Sequence, residues 1–144
     1  MKNLTENNCE LCNRHDGDVL WQDEFCRIVA VREPAYPGFC RIILRRHVKE
    51  MTDLAPQDRA RLMNVVFAVE AALRELMQPD KVNLASLGNA VPHLHWHVIP
   101  RYIDDSHFPG PIWAQALRPQ ARAQPGPGRE QLVRSLAARL GEPR

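Results

Sequence analysis

Residues 93–99 read His-Leu-His-Trp-His-Val-Ile, a strict two-residue alternation that a strand satisfies and a helix does not. Successive strand side chains point to opposite faces, so His93, His95, His97 and Ile99 share one face and Leu94, Trp96 and Val98 the other. The second face is wholly apolar and needs a hydrophobic partner. The first carries three imidazoles, which have no reason to crowd into a dry core, so it is expected to line a cleft. This one segment therefore demands a sheet that is packed on one side and chemically equipped on the other.

The remaining chain supplies the packing. Three short runs, 19–22 (VLWQ), 26–31 (CRIVAV) and 39–44 (FCRIIL), are rich in β-branched and aromatic residues and predict strands. Between the last two, 33–38 (EPAYPG) carries two prolines and a glycine and predicts a loop. A helix is expected from Pro56, which suits the first helical position, with Asp58 in the first turn. Leu62, Val66, Val69, Leu73 and Leu76 recur at three- and four-residue steps and make one apolar stripe, and Pro79 stops the helix. Residues 81–87 predict another strand, Gly88 a turn, and Pro100 the end of the histidine strand. Residues 104–113 read as irregular and 119–128 (PQARAQPGPG) as a linker; 129–140 predicts a last amphipathic helix on Leu132, Leu136 and Leu140. Strands, one long helix, then strands, without regular β-α alternation, imply an α+β fold with an antiparallel sheet. The expected division is 1–113 for the main domain and 114–144 for a Pro/Arg-rich linker and C-terminal helix.

Composition sets the class. With 144 residues, 44% hydrophobic and 25% charged, the chain fits one globular domain. No apolar run approaches the roughly 20 residues of a membrane helix, and the N-terminus lacks an apolar leader region. A cytoplasmic protein is expected. The net charge of +2 gives no reason to invoke nucleic acid, and the basic C-terminal stretch reads as a solvated tail. In a reducing compartment Cys9, Cys12, Cys26 and Cys40 are not expected to form disulfides. Cys26 and Cys40 lie in apolar strand-like runs and read as core, whereas Cys9-Glu-Leu-Cys12 lies in a polar stretch. That pair is open to three readings: unremarkable thiols, a redox pair, or half of a metal site.

For the three histidines the residues leave three readings. They are a chance cluster, which strict alternation makes improbable. They are metal ligands, although the outer two stand roughly 13 Å apart in an extended chain and cannot easily share an ion. Or they are a catalytic set in which the central imidazole is a nucleophile and its neighbours manage protons.

The pattern resembles the histidine triad (HIT) family, His-apolar-His-apolar-His-apolar-apolar. The resemblance extends to the Gly88-Asn89 turn, similar to that family's Gly-Gln turn, to IPRY after the triad, to QDEFCRIVAV, and to RRHV and MTDL ahead of the helix. It covers roughly residues 9–113. HLHWHVIPR with FPGPIW is similar to a bacterial branch of hydrolases related to the diadenosine tetraphosphate hydrolases.

The resemblance implies a HIT-like antiparallel sheet of about five strands with one long helix packed on it and a C-terminal extension. It also implies cleavage of nucleoside phosphates at the α-phosphorus, with His95 forming a nucleotidyl-imidazole intermediate. His97 would donate to the phosphate or to a backbone carbonyl, and Asn89 would contact the phosphate in place of Gln. Glu33 is a weaker candidate for holding ribose hydroxyls. No catalytic cofactor is expected. Some members use an N-terminal CxxC with the RHV histidine and the first triad histidine, which implies a structural zinc on Cys9, Cys12, His47 and His93. A homodimer is likewise implied, with a nucleotide substrate and no nucleic-acid or membrane partner. Two departures stand out: Phe39 occupies the place of a fourth histidine, and Ala90 that of a Ser or Thr after the turn. They motivate the alternatives of a nucleotide-binding or regulatory module with little turnover, or a hydrolase using the triad histidines as metal ligands.

Overall fold

The structure is a computed structural model that describes residues 6–14, 17–121 and 124–144. The linker stretch 119–128 therefore includes two residues, 122 and 123, that lie outside the described residues.

Five strands form one antiparallel sheet: β1 (Asp18–Gln22), β2 (Cys26–Ala30), β3 (Cys40–Leu44), β4 (Lys81–Ala85) and β5 (His95–Arg101). Their spatial order is β1-β2-β3-β5-β4. Among the described residues three α-helices accompany them: α1 (Glu10–Asn13), α2 (Pro56–Met77) and α3 (Arg129–Leu140). The architecture is the expected α+β sheet with one long helix. Helix α2 begins with Pro56 at its first position. It ends when Gln78 turns left-handed (φ 50°), as the residue before Pro79 is barred from continuing the helix.

Register divides the sheet into two chemistries. Cys26, Ile28, Cys40, Ile42 and Leu44 sit with Leu94 and Val98 in one apolar cluster, with Trp96 packed against it. Leu62, Val65, Val66, Val69 and Leu73 of α2 fill the other side of that cluster. Burial pushes the thiols of Cys26 and Cys40 up to about 12, so both behave as small apolar groups. On the opposite face, cross-strand rows run Arg27–Ile43–His95 and Val29–Arg41–His97–Ala85. From His95 onward the apolar and imidazole faces read from the alternation are those the sheet presents; His93, expected on the same face of the strand, lies before it.

The histidine strand differs at both ends from the sequence expectation. It starts at His95, because β3 stops at Leu44 and the ladder becomes irregular there: Leu94 donates to the Val48 carbonyl and accepts from the Leu44 N–H. It also runs through Pro100, which pairs with Val82. Pairing with β3 finishes at Val98, so at Pro100 the strand has a neighbour on the β4 side alone, a position where a missing N–H is tolerated. Gly38 (φ 84°) turns the chain into β3, and a Cβ there would run into the Met77 side chain.

Helix α3 is not a loose appendage. Leu132 and Leu136 lie in the main core, and the helix packs on α2 and β1. Arg129 pairs with Asp18 (2.8 Å) and donates to the Val19 carbonyl. The Trp21 indole N–H donates to the Gly141 carbonyl, and the Arg144 N–H to that of Gln22. No helix among the described residues is long and apolar enough to cross a membrane.

The irregular segment after β5 is held by one buried ion pair. Arg101, 1% exposed, grips Asp105 through Nε (2.7 Å) and Nη2 (3.0 Å) and also donates to Asn83 Oδ1 and the Gly110 carbonyl. Asp105 further accepts the N–H groups of His107 and Phe108. Burial alone would raise the Asp105 carboxyl, but these donors outweigh it and take it from 3.8 to about 2. Folded-state stability from this group is therefore present in full above the unfolded value and lost as pH falls through about 2. The expected contribution is about 2 kcal/mol. In urea unfolding, Asp105→Asn should be less stable than wild type by about that amount at pH 7, with the gap closing as pH approaches 2.

Candidate functional site

The imidazole face of β5 looks into a cleft of about 310 Å³ whose lining includes Glu10, Arg41, Asn89, His95, His97 and Trp113. Several elements build it, α1 among them with Glu10 and Leu11. Strand β5 supplies the histidines and β3 supplies Arg41. The loop opened by left-handed Gly88 (φ 76°) sets Asn89 at the rim. Trp113 comes from the segment anchored by Arg101 and Asp105, and its ring lies 5.0 Å from that of His97.

His95 is 8% exposed and its Nδ1 lies 2.6 Å from the His93 carbonyl. Only an N–H can satisfy that oxygen, so Nδ1 carries the proton and Nε2 keeps its lone pair. Burial lowers the His95 pKa, partly opposed by the bond to the His93 carbonyl, and nearby Arg41 lowers it further. The ring is a neutral base at pH 7 with a defined tautomer.

His97, 5% exposed, stands edge-on to His95 with ring centroids 5.0 Å apart. Burial first, then His95 and Arg41, push it down to about 4. Its Nδ1 is buried without a hydrogen-bond partner. Of the two acceptors expected for His97, a phosphate or a backbone carbonyl, Nδ1 meets no carbonyl; a carbonyl bond of that kind belongs to His95. Phe39, in the place of the fourth histidine, packs its ring 5.7 Å from His97 and joins Tyr36 and Ile99 in a small apolar cluster.

His93 takes a different part. It leaves the strand and turns its ring toward the N-terminal segment, where Cys9, Cys12, His47 and His93 bring one donor atom each to within 4.8 Å of one another. His93 Nδ1 lies 3.5 Å from Cys9 Sγ, 3.3 Å from Cys12 Sγ and 3.3 Å from His47 Nδ1. A tetrahedron with the usual zinc–nitrogen and zinc–sulfur bond lengths has nitrogen–nitrogen edges of ~3.3 Å and nitrogen–sulfur edges of ~3.5 Å. The His93 Nε2–H donates to the Leu44 carbonyl at 2.6 Å, which leaves the Nδ1 lone pair for a cation. The donor set and its spacing therefore fit a four-coordinate soft metal ion. His95 and His97 stand outside this group, so the triad is divided between one member of the four-donor cluster and two residues that face the cleft.

Glu33 sits exposed in the loop after β2, where its carboxylate accepts the Ala35 N–H, and it is not among the residues lining the cleft. Arg41 and Glu10 line the cleft but carry no signal that singles them out in the sequence, and Trp113, although it closes the FPGPIW motif, has no role legible there. For Arg41 the one available hint is a charged residue inside an otherwise apolar strand run, and only the β3–β5 register places it opposite His97.

Comparison with known proteins gives a consistent picture. A sequence model of the HIT domain matches residues 13–104. The AP-4-A phosphorylase of Mycobacterium tuberculosis is 28% identical over 111 residues, 73% of this chain and 57% of that protein. The asymmetrical bis(5'-nucleosyl)-tetraphosphatase of Schizosaccharomyces pombe is 30% identical over 90 residues, 59% of this chain and 50% of that protein. The chain thus spans little more than half the length of these relatives. Among solved structures, a histidine triad (HIT) protein of Sinorhizobium meliloti superimposes with a TM-score of 0.67 at 29% identity, covering 87% of this chain and 90% of that one.

Proposed function

The chain belongs to the HIT domain family, and from that premise we propose that it cleaves nucleoside phosphates at the α-phosphorus through a covalent intermediate on His95. The observation that carries this reading is the locked tautomer of His95, whose Nδ1–H is held by the His93 carbonyl. That leaves the Nε2 lone pair on a neutral ring in a cleft beside Asn89 and His97.

In the first step Nε2 attacks phosphorus. The N–P bond forms as the bond to the leaving group breaks, and the leaving group departs with the electron pair. As positive charge develops on the imidazole, the proton on Nδ1 bonds more strongly to the His93 carbonyl, which stabilises the intermediate. In the second step water adds to phosphorus and the N–P bond breaks. The nucleoside monophosphate is released, the imidazole regains its lone pair, and the water proton goes to solvent. Inorganic phosphate could replace water, as the mycobacterial relative's name implies for that protein. The Asn89 amide donates to a non-bridging oxygen. Neutral His97 flanks the phosphoryl group without adding charge.

Substrates of this reaction are dinucleoside polyphosphates or nucleoside phosphoramidates. A second reading, a nucleotide-binding module with little turnover, is favoured by Phe39, whose apolar ring flanks His97 where a further polar aid would stand. We further read Cys9, Cys12, His47 and His93 as holding a structural zinc, which would tie the N-terminal segment to the end of β3 and the start of β5. The protein is read as a cytoplasmic homodimer, a setting that keeps these thiols reduced.

Mass spectrometry of protein quenched during turnover of diadenosine tetraphosphate should find an added nucleoside monophosphate on the peptide containing His95. His95→Ala should lose at least ~10³-fold in kcat. Nucleotide binding without any His95-dependent turnover would move the assignment to the second reading. Elemental analysis should find one zinc per chain, absent from Cys12→Ser. Chelation should lower Tm by roughly 10 °C, the effect of about 3 kcal/mol in a domain of this size. Turnover by the still-folded, zinc-stripped protein should persist; its abolition would make the ion catalytic.

A further inference from the structure

The histidine cleft is continuous with a second, larger one. About 690 Å³ in volume, it lies over β2 and β3 on the same face of the sheet, and the two clefts share Glu10, Leu11 and Arg41. Four arginines line it, Arg14, Arg27, Arg32 and Arg41, against the two carboxylates of Glu10 and Asp18. Asp18 is engaged with Arg129 and Arg27 with the Leu11 and Arg14 carbonyls.

Arg41 stands where the clefts meet, directly opposite His97 in the register. Its Nε is buried and has no hydrogen-bond partner. Burial is the main influence on its guanidinium, Glu10 is the acidic group that opposes it, and no ion pair joins Arg41 to Glu10 or to any other described residue. A buried guanidinium N–H left without an acceptor is costly unless an anion completes it, and the planar fork of this half-buried side chain, which lines both clefts, suits phosphate oxygens. A mononucleotide with a neutral leaving group carries one phosphoryl group, and that group is taken up by His95, His97 and Asn89 in the proposed reaction. Arg41, facing the neighbouring cleft as well, has an anion left to find.

We infer that Arg41 is a specificity-determining residue that binds a second phosphate of the substrate, so that this enzyme selects polyphosphate substrates over phosphoramidates. This rests on the proposed attack of His95 on a nucleoside phosphate and extends it to substrate class. The guanidinium donates to non-bridging oxygens of the phosphate adjoining the one attacked, and the other arginines of the larger cleft add to the attractive field around the chain. No bond is made or broken at Arg41.

The test compares diadenosine tetraphosphate with adenosine 5'-phosphoramidate in wild type, Arg41→Met and Arg41→Lys. In Arg41→Met, kcat/KM for the tetraphosphate should fall roughly 10- to 100-fold, the range of a charge-assisted hydrogen-bonded contact. That for the phosphoramidate should change less than ~3-fold, a surplus too small to be such a bond. Arg41→Lys should recover part of the selectivity, since it keeps the charge without the fork. An equal fall on both substrates, or no change on either, would overturn the inference. The same ratio read by binding titration in a His95→Ala background needs no turnover, and comparing His95→Ala with His95→Ala/Arg41→Lys covers the case in which Arg41→Met fails to fold. A missing adduct on His95 in wild type would defeat the catalytic reading alone; an unchanged binding ratio would defeat the role of Arg41 alone.

Discussion

Everything in this molecule follows from the position of β5, which is hydrogen-bonded to β3 and β4 on its two edges and packed against the core on one face while the other lines the cleft. A strand so placed has one acceptable register. Sliding it by one residue would drive imidazoles against the apolar face of α2 and leave Trp96 and Val98 in the polar cleft. Core packing therefore fixes where the histidines point, and the pairing with β3 fixes which residues they meet. Chemical geometry here is a consequence of apolar burial on the reverse side.

His93 joins two systems through different atoms. Its ring lies among the two cysteines and His47, while its carbonyl holds the Nδ1 proton of His95. A second bond, from its Nε2 to the Leu44 carbonyl, fixes the ring against the end of β3. Whatever steadies the ring of His93 thus steadies the peptide that sets the tautomer of the cleft histidine, two residues along the same chain. The irregularity at the start of β5 is what lets a single backbone serve both purposes, because a regular strand would have kept all three rings in one line.

Much of this was legible in the chain because it depends on local periodicity. The stripe Leu62–Val66–Val69–Leu73, the two faces of the histidine run and the C-terminal helix on Leu132 and Leu136 all lie where alternation or helical spacing puts them. The four-residue donor group was reachable only through family resemblance, since Cys12 and His93 are 81 positions apart and nothing local couples them. What stayed hidden depends on pairing between distant segments. Pro100 ends a strand by the usual local rule, but here β3 has already stopped. Arg41 looks like one charge in an apolar run until the ladder sets it beside His97. Trp113 reaches the cleft because Arg101 and Asp105 anchor a segment that has no periodicity to read.

The way α3 closes on β1 has a consequence beyond its share of the core. In the order β1-β2-β3-β5-β4, β1 is an outermost strand, and such strands offer unpaired backbone groups to any neighbour able to extend the sheet. Arg129 takes up the Val19 carbonyl and Arg144 that of Gln22, so two of the acceptors on this margin are already engaged by the chain's own C-terminal segment. Helix α3 and the residues after it thereby occupy part of one of the sheet's two margins, where a further strand would otherwise find free acceptors.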